Sequence, residues 1–345
     1  MKSSHVVLLL VLPLALVGCA KPRLWGTSDP KYPSATLPYA ERMLESERDA
    51  AFKGPEGSRN VTGEFTALYY EQPTVLSSER LAVLQKHQVL LVHGLLGEVG
   101  LGVRRFLDKI DSDQRVLDYY KEQEAVFREH GIAFERVAHK SKTVDRSGGK
   151  IAEAVLRSRK PVLLISHSKG CVDTLDALLK LQARGELDRV AGWVAMQGVF
   201  AGAPQAESYV KHGGKRAFGI VAMRVMGGDF DAIRDLTPEA RAKYHAKHAE
   251  QIRSLVDSLP IICLATWEPL ERKERKSMAK DEAGNSPLTR PSKIQPESSI
   301  LKGTDYVAKS GINHNITVIR GKKHYDRKAM TRAFLAMLAD RVDPE

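Results

Sequence analysis

The chain has 345 residues, 43% of them hydrophobic, 28% charged and 6% aromatic. That balance excludes a disordered tail or a bundle of membrane spans and supplies enough apolar material for one sizeable core. Three cysteines are too few for a disulfide-framed scaffold, and the net charge of +11 favours anionic surfaces as partners, with no nucleic-acid recognition motif and no nucleic-acid partner expected.

The chain opens on Met1-Lys2-Ser3-Ser4-His5, continues through an apolar run over residues 6–17 broken only by Pro13, and closes it with Leu16-Val17-Gly18-Cys19. Twelve or so apolar residues suit a signal segment and are too few to span a bilayer comfortably. Leu-Val-Gly before a cysteine resembles the lipobox of bacterial lipoproteins. The resemblance implies a signal peptide over 1–18, cleavage before Cys19, lipid on that cysteine and a place in the bacterial cell envelope. Ala20 in the next position points by the same analogy to the outer membrane of a diderm cell. Acyl chains at Cys19 would hold the protein stably on its membrane. Residues 19–39 carry Pro22, Pro30, Pro33 and Pro38 among polar residues and read as a tether, leaving 40–345 as one catalytic-sized domain.

Further along, the pattern predicts a helix over 39–52, a first strand over 64–70 and a buried strand over Val89-Leu90-Leu91-Val92. This last strand runs into His93-Gly94-Leu95-Leu96-Gly97, a glycine-bearing loop suited to presenting a backbone N–H, with His93 expected to brace the turn. A second buried strand, Val162-Leu163-Leu164-Ile165, leads into Ser166-His167-Ser168-Lys169-Gly170 and then into a helical pattern carrying Val172, Leu175, Leu178, Leu179 and Leu181. Strand, tight turn and helix in that order describe a nucleophile elbow, with Ser168 lifted into a crevice and the helix N–H groups aimed at it. The usual first glycine of the turn is here Ser166. Acyl transfer needs two N–H donors for the developing oxyanion, and Leu95 and Lys169 supply the expected pair.

Residues 205–260 turn helical, with Gly213-Gly214 and Gly227-Gly228 as hinges and Thr237-Pro238 as a helix start, and are read as a cap inserted into the domain. His245 and His248 lie within it without a convergent carboxylate set and are read as a solvated helix face, so no metal and no cofactor is expected. A strand over 261–266 follows, then Glu268 and a basic cluster of Arg272, Lys273, Arg275, Lys276 and Lys280. Two carboxylates compete to orient the base, Asp305 and Glu268. Asp305 is preferred because the stretch from Thr266 to Asp305 reads as an excursion returning to the sheet edge. The run Ile316-Thr317-Val318-Ile319 reads as the last strand. A base belongs at the carboxyl end of a strand in an open α/β sheet, which selects His324 after that run over His314 before it. Met330, Phe334, Met337 and Leu338 then mark a closing helix. Cys171 and Cys263 both fall in buried elements and are read as packed thiols, with a bridge between them the alternative.

Taken together, Val92-His93-Gly94, the 166–170 elbow, Gln197-Gly198-Val199-Phe200-Ala201-Gly202-Ala203-Pro204, Asp235-Leu236-Thr237-Pro238-Glu239, Thr304-Asp305-Tyr306-Val307 and Lys323-His324-Tyr325-Asp326 resemble the α/β-hydrolases of the bacterial lipase and esterase type. The resemblance implies a mostly parallel sheet flanked by helices, a helical lid, and a Ser168-His324-Asp305 triad acting on carboxylic esters of lipids. Acyl transfer or thioester cleavage by the same triad, and a non-catalytic envelope protein of the same fold, are the alternatives. Oligomeric state is not legible.

Overall fold

The structure, a computed structural model, describes residues 49, 51–71, 75–95, 119–139, 141–225, 228–268, 294–319 and 325–343. Cys19, the tether, nearly all of the helix expected over 39–52, the basic cluster at 272–280 and His324 lie outside them.

Among the described residues seven strands form one sheet: β1 (Arg59–Asn60), β2 (Gln88–Val92), β3 (Ala133–Arg136), β4 (Val162–His167), β5 (Val190–Met196), β6 (Ile261–Trp267) and β7 (Asp305–Ser310), in the order β1-β7-β6-β5-β4-β2-β3. Every pairing is parallel. A parallel sheet needs crossover helices, which cover both faces, and this is why the central strands are continuous apolar runs rather than alternating ones. On β4, Leu163 and Ile165 face one core layer with Phe65, Phe127 and Phe334, while Val162 and Leu164 face the other with Leu175, Leu178 and Trp193. The first layer is roofed by α1 (Thr62–Tyr70), α2 (Ser78–Gln85), α3 (Lys121–Glu129) and α11 (Arg327–Val342). The second is roofed by α4 (Val144–Arg157), α5 (Lys169–Ala183) and α10 (Ala249–Ser258). Each fully buried Leu or Phe in these layers contributes about 1.5–3 kcal/mol.

Between β5 and α10 the chain forms α6 (Pro204–Lys211), α7 (Gly213–Val225), α8 (Asp231–Arg234) and α9 (Pro238–Lys247). Val199, Ala203, Ala206, Met223, Phe230 and Ile233 gather there with Val144 of α4 and Val172 of α5 into a third, smaller apolar cluster. Among the described residues no helix is long and apolar enough to cross a membrane.

Two elements differ from the sequence reading. Residues 64–70 belong to helix α1, because Phe65, Leu68 and Tyr69 at helical spacing bury one face, with Phe65 4.8 Å from Phe334 between ring centroids. Aromatic residues that favour strands in isolation are held helical here by that tertiary contact. Among the described residues the last strand is β7, not 316–319, which coils into turns with Val318 N–H and Ile319 N–H both donating to Asn315 O. Lys309 obscured β7 as an apolar run; it is only 2% exposed and its Nζ is 2.9 Å from the carboxylate of the buried Asp49.

Candidate active site at the strand-to-helix elbow

Ser168 stands between the end of β4 and the start of α5 with φ 57° and ψ −125°, a conformation that non-glycine residues seldom adopt. Its own N–H donates to Met196 O on the neighbouring strand at 3.0 Å, and its carbonyl accepts from Cys171 N–H at 3.0 Å, which opens the helix. Lys169 is the first residue of α5, so its backbone N–H is one of the helix-start donors without an acceptor inside the helix.

Close packing explains the glycines. A Cβ on Gly170 would lie 2.5 Å from His93 O and 2.8 Å from Val92 O, so only glycine lets α5 approach the 93–95 loop. A Cβ on Gly94 would lie 3.0 Å from the Ser168 Cβ, which shows how near that loop runs to the nucleophile. Leu95 belongs to the same loop, and its carbonyl accepts from the Ser141 hydroxyl. Ser166, in place of the first glycine, is fully buried, and its hydroxyl oxygen accepts from the Trp193 indole N–H at 2.7 Å and is 3.2 Å from Cys171 Sγ. The turn therefore has room for a small polar side chain that finds partners. Cys171 and Cys263 are both free and buried.

The imidazole that meets the serine is His314, with Nε2 2.8 Å from Ser168 Oγ. His324, the base expected from a last strand over 316–319, lies outside the described residues. With β7 at Asp305–Ser310, His314 follows the strand and stands at its carboxyl end. Gly311, with φ 78°, ends β7 and was the available signal.

Asp305 is corrected in the same way. It is the first residue of β7 and sits at the amino edge of the sheet, opposite Ser168, where Arg59 Nη2 is 2.6 Å and Arg341 Nε 3.0 Å from its carboxylate. Partial burial raises its pKa, but hydrogen bonds from Arg59 and Arg341 outweigh that and hold it below the usual carboxylate range. It is an ion-pair anchor that ties β1 and α11 to β7. Glu268, the second carboxylate weighed, follows β6 directly at the carboxyl edge and is half-buried. Trp267 pairs with Ser310 in register, and Gly311 N–H donates to Trp267 O at 2.8 Å, so Glu268 and the loop carrying His314 leave the sheet side by side.

A second ring of residues surrounds the elbow. Lys169 Nζ is 2.6 and 2.7 Å from the two Asp173 oxygens, with both side chains 1% exposed. His139 Nε2 is 3.7 Å from Asp173, and His139 stacks on His93 at 4.1 Å. His93 Nδ1 lies 2.8 Å from Gly94 O, a bracing contact within the turn. In the segment between β5 and β6, His245 Nε2 is 3.0 Å from Phe200 O and His248 Nδ1 2.7 Å from Gln251 Oε1.

The sequence profile of the family described as "Lecithin:cholesterol acyltransferase" matches residues 146–260, a stretch that contains the elbow and α5 and stops before His314. Among solved structures, a metagenomic carboxyl esterase aligns with 95% of this chain and 98% of its own at a TM-score of 0.59 and 16% identity. The fold is that of an α/β-hydrolase. A Bacillus licheniformis lipase in mature form aligns with 73% of this chain and 89% of its own, with a TM-score of 0.45 and 14% identity. No curated protein sequence matches the chain. Sequence reasoning reached the elbow and the 93–95 loop and weighed His314 but set it aside for His324, because the position of His314 beside Ser168 depends on elements distant in the chain.

Proposed function

We propose that the protein is a serine hydrolase of carboxylic esters, with esters of lipids as the substrate class. The observation that carries this reading is the 2.8 Å approach of His314 Nε2 to the hydroxyl of Ser168 on a strained strand-to-helix turn. In the proposed reaction Ser168 attacks the acyl carbon while His314 Nε2 takes its proton, and the N–H groups of Leu95 and Lys169 receive the oxyanion. His314 then returns the proton to the leaving alkoxide, and water repeats the sequence on the acyl-enzyme. Glu268 is the carboxylate proposed to fix the His314 tautomer. Asp305 is at the far edge, and Asp49 is engaged by Lys309 and the Ser310 N–H.

Supporting the lipid ester class are the acyltransferase family profile over the elbow and the carboxyl esterase of like fold. The profile also favours a second use of the same acyl-enzyme, transfer to an alcohol in place of water. Cys19 is proposed as the lipid attachment that holds the protein at the bacterial envelope, at the outer membrane in a diderm cell; metabolic labelling with an alkyne palmitate should mark the wild type and not Cys19→Ala.

A fluorophosphonate probe tests the core of the proposal. Labelling mapped to Ser168 and lost in Ser168→Ala and His314→Ala is the expected result; folded protein that takes no label, or takes it elsewhere, refutes it. Adding competing alcohols to an ester assay then separates hydrolysis from transfer by the products.

A further inference from the structure

We infer that His167, the residue before the nucleophile, is a positioning residue that fastens the oxyanion loop to the loop carrying the base through a chain of buried hydrogen bonds. The inference rests on the reading of Ser168 and His314 as nucleophile and base.

Three observations assign the chain its direction. His167 Nε2 lies 2.7 Å from His314 O, and a carbonyl only accepts, so the proton is on Nε2. In the neutral ring Nδ1 is then an acceptor, and its partner, the Tyr119 hydroxyl at 2.5 Å, must donate to it. That hydroxyl in turn accepts from Gly94 N–H at 2.9 Å. Gly94 immediately precedes Leu95, whose N–H is assigned to the oxyanion, and His314 O belongs to the residue whose imidazole meets Ser168. One imidazole, 2% exposed, therefore joins both halves of the machinery. Burial lowers its pKa to about 4, which keeps the ring neutral and the tautomer fixed across the ordinary working range.

Gln197 locks the same chain from the other side. It sits past the end of β5 with φ 53° and is 1% exposed. Its Nε2 donates to Asn313 O at 3.0 Å and to the Thr266 hydroxyl, and its Oε1 accepts from Thr317 Oγ1 at 2.7 Å and lies 3.1 Å from His167 Nε2. Asn313 Oδ1 accepts from the N–H groups of Asn315 and Ile316, closing the turn that carries His314. The base loop is thus held by its backbone on both sides of His314, independently of its imidazole.

The test uses protein labelled with 15N-histidine and the variants Tyr119→Phe, His167→Gln and His167→Ala. In the resting wild type the imidazole signal lost in His167→Gln should show a protonated Nε2 and a bare Nδ1. In Tyr119→Phe that signal should move toward mixed tautomers. Turnover should fall about 10- to 100-fold in Tyr119→Phe and His167→Ala with KM little changed, the size expected for a displacement of about 1 Å in a reacting group. Glutamine, able to donate and accept, should restore part of the alanine loss. An Nδ1-protonated ring in the wild type, turnover within twofold in Tyr119→Phe, or a glutamine variant no better than alanine overturns the inference. The tautomer is read without substrate, so it stands or falls separately from the ester-hydrolase reading, which fails if wild-type Ser168 takes no probe.

Discussion

The surroundings of Ser168 and the helices between β5 and β6 are held together in different ways. At the elbow, polar side chains from β4, β5, β6 and the 313–317 turn are fixed on one another, and the backbone is strained at both Ser168 and Gln197. In α7, by contrast, residues 213–217 all face water, Val221 is 41% exposed, and α6 buries only Ala206. The most precisely fixed geometry surrounds the proposed nucleophile. The helices between β5 and β6 rest on a smaller apolar cluster that they share with Val144 and Val172 of the body.

The largest effects belong at the elbow. Ser168→Ala and His314→Ala should each reduce kcat by about 10⁴-fold or more with melting temperature nearly unchanged, measured on a short-chain ester. Next comes the edge assignment of the carboxylates. Glu268→Gln should lower kcat by about 10²- to 10⁴-fold, whereas Asp305→Asn should leave kcat within about twofold, since it acts at the opposite end of β7. The reverse pattern would return the acid to Asp305 and contradict the strand register. Asp173→Ala should destabilise the fold by about 3–5 kcal/mol in urea titration, because it leaves the Lys169 ammonium buried without its partner.

Acidification gives a further contrast. His167 has a folded pKa of about 4 against about 6.5 in an unfolded chain, so the stability it contributes is complete above that higher value. It should be lost as pH falls from about 6.5 towards 4. The wild type should lose stability over that window more steeply than His167→Gln, which has nothing to titrate; equal slopes would mean the ring is not buried in a neutral state. The smallest expected effect lies in the helices between β5 and β6. Val221→Ser, at a site 41% exposed, should alter stability by less than about 0.5 kcal/mol in urea titration. A loss of stability as large as that of Asp173→Ala would erase the distinction between the two regions.

The central sheet was legible because burial on both faces leaves apolar runs such as Val162-Leu163-Leu164-Ile165, and the elbow because its glycine stands where α5 meets the 93–95 loop. Failures arose where a long-range contact overrode a local pattern. Lys309 disguised β7 because its partner Asp49 is far away in sequence, and with the last strand set at 316–319 the carboxyl-edge rule selected His324 over His314. Phe65 and Tyr69 locally suggest a strand, whereas the packing of Phe334 against Phe65 favours the helix. Nothing local marks His167 as more than the variable residue of its motif, since its partners Tyr119 and Gln197 come from other elements.

The serine at 166 also gives the site an optical reporter. Trp193, fully buried, is hydrogen-bonded to a residue two positions from the nucleophile, and Trp267 immediately precedes Glu268. The two described indoles therefore lie close to the nucleophile turn and to the carboxylate proposed as its acid. Covalent loading of Ser168 should register in the emission of the unmodified protein, so each turnover is followed without a chromogenic ester.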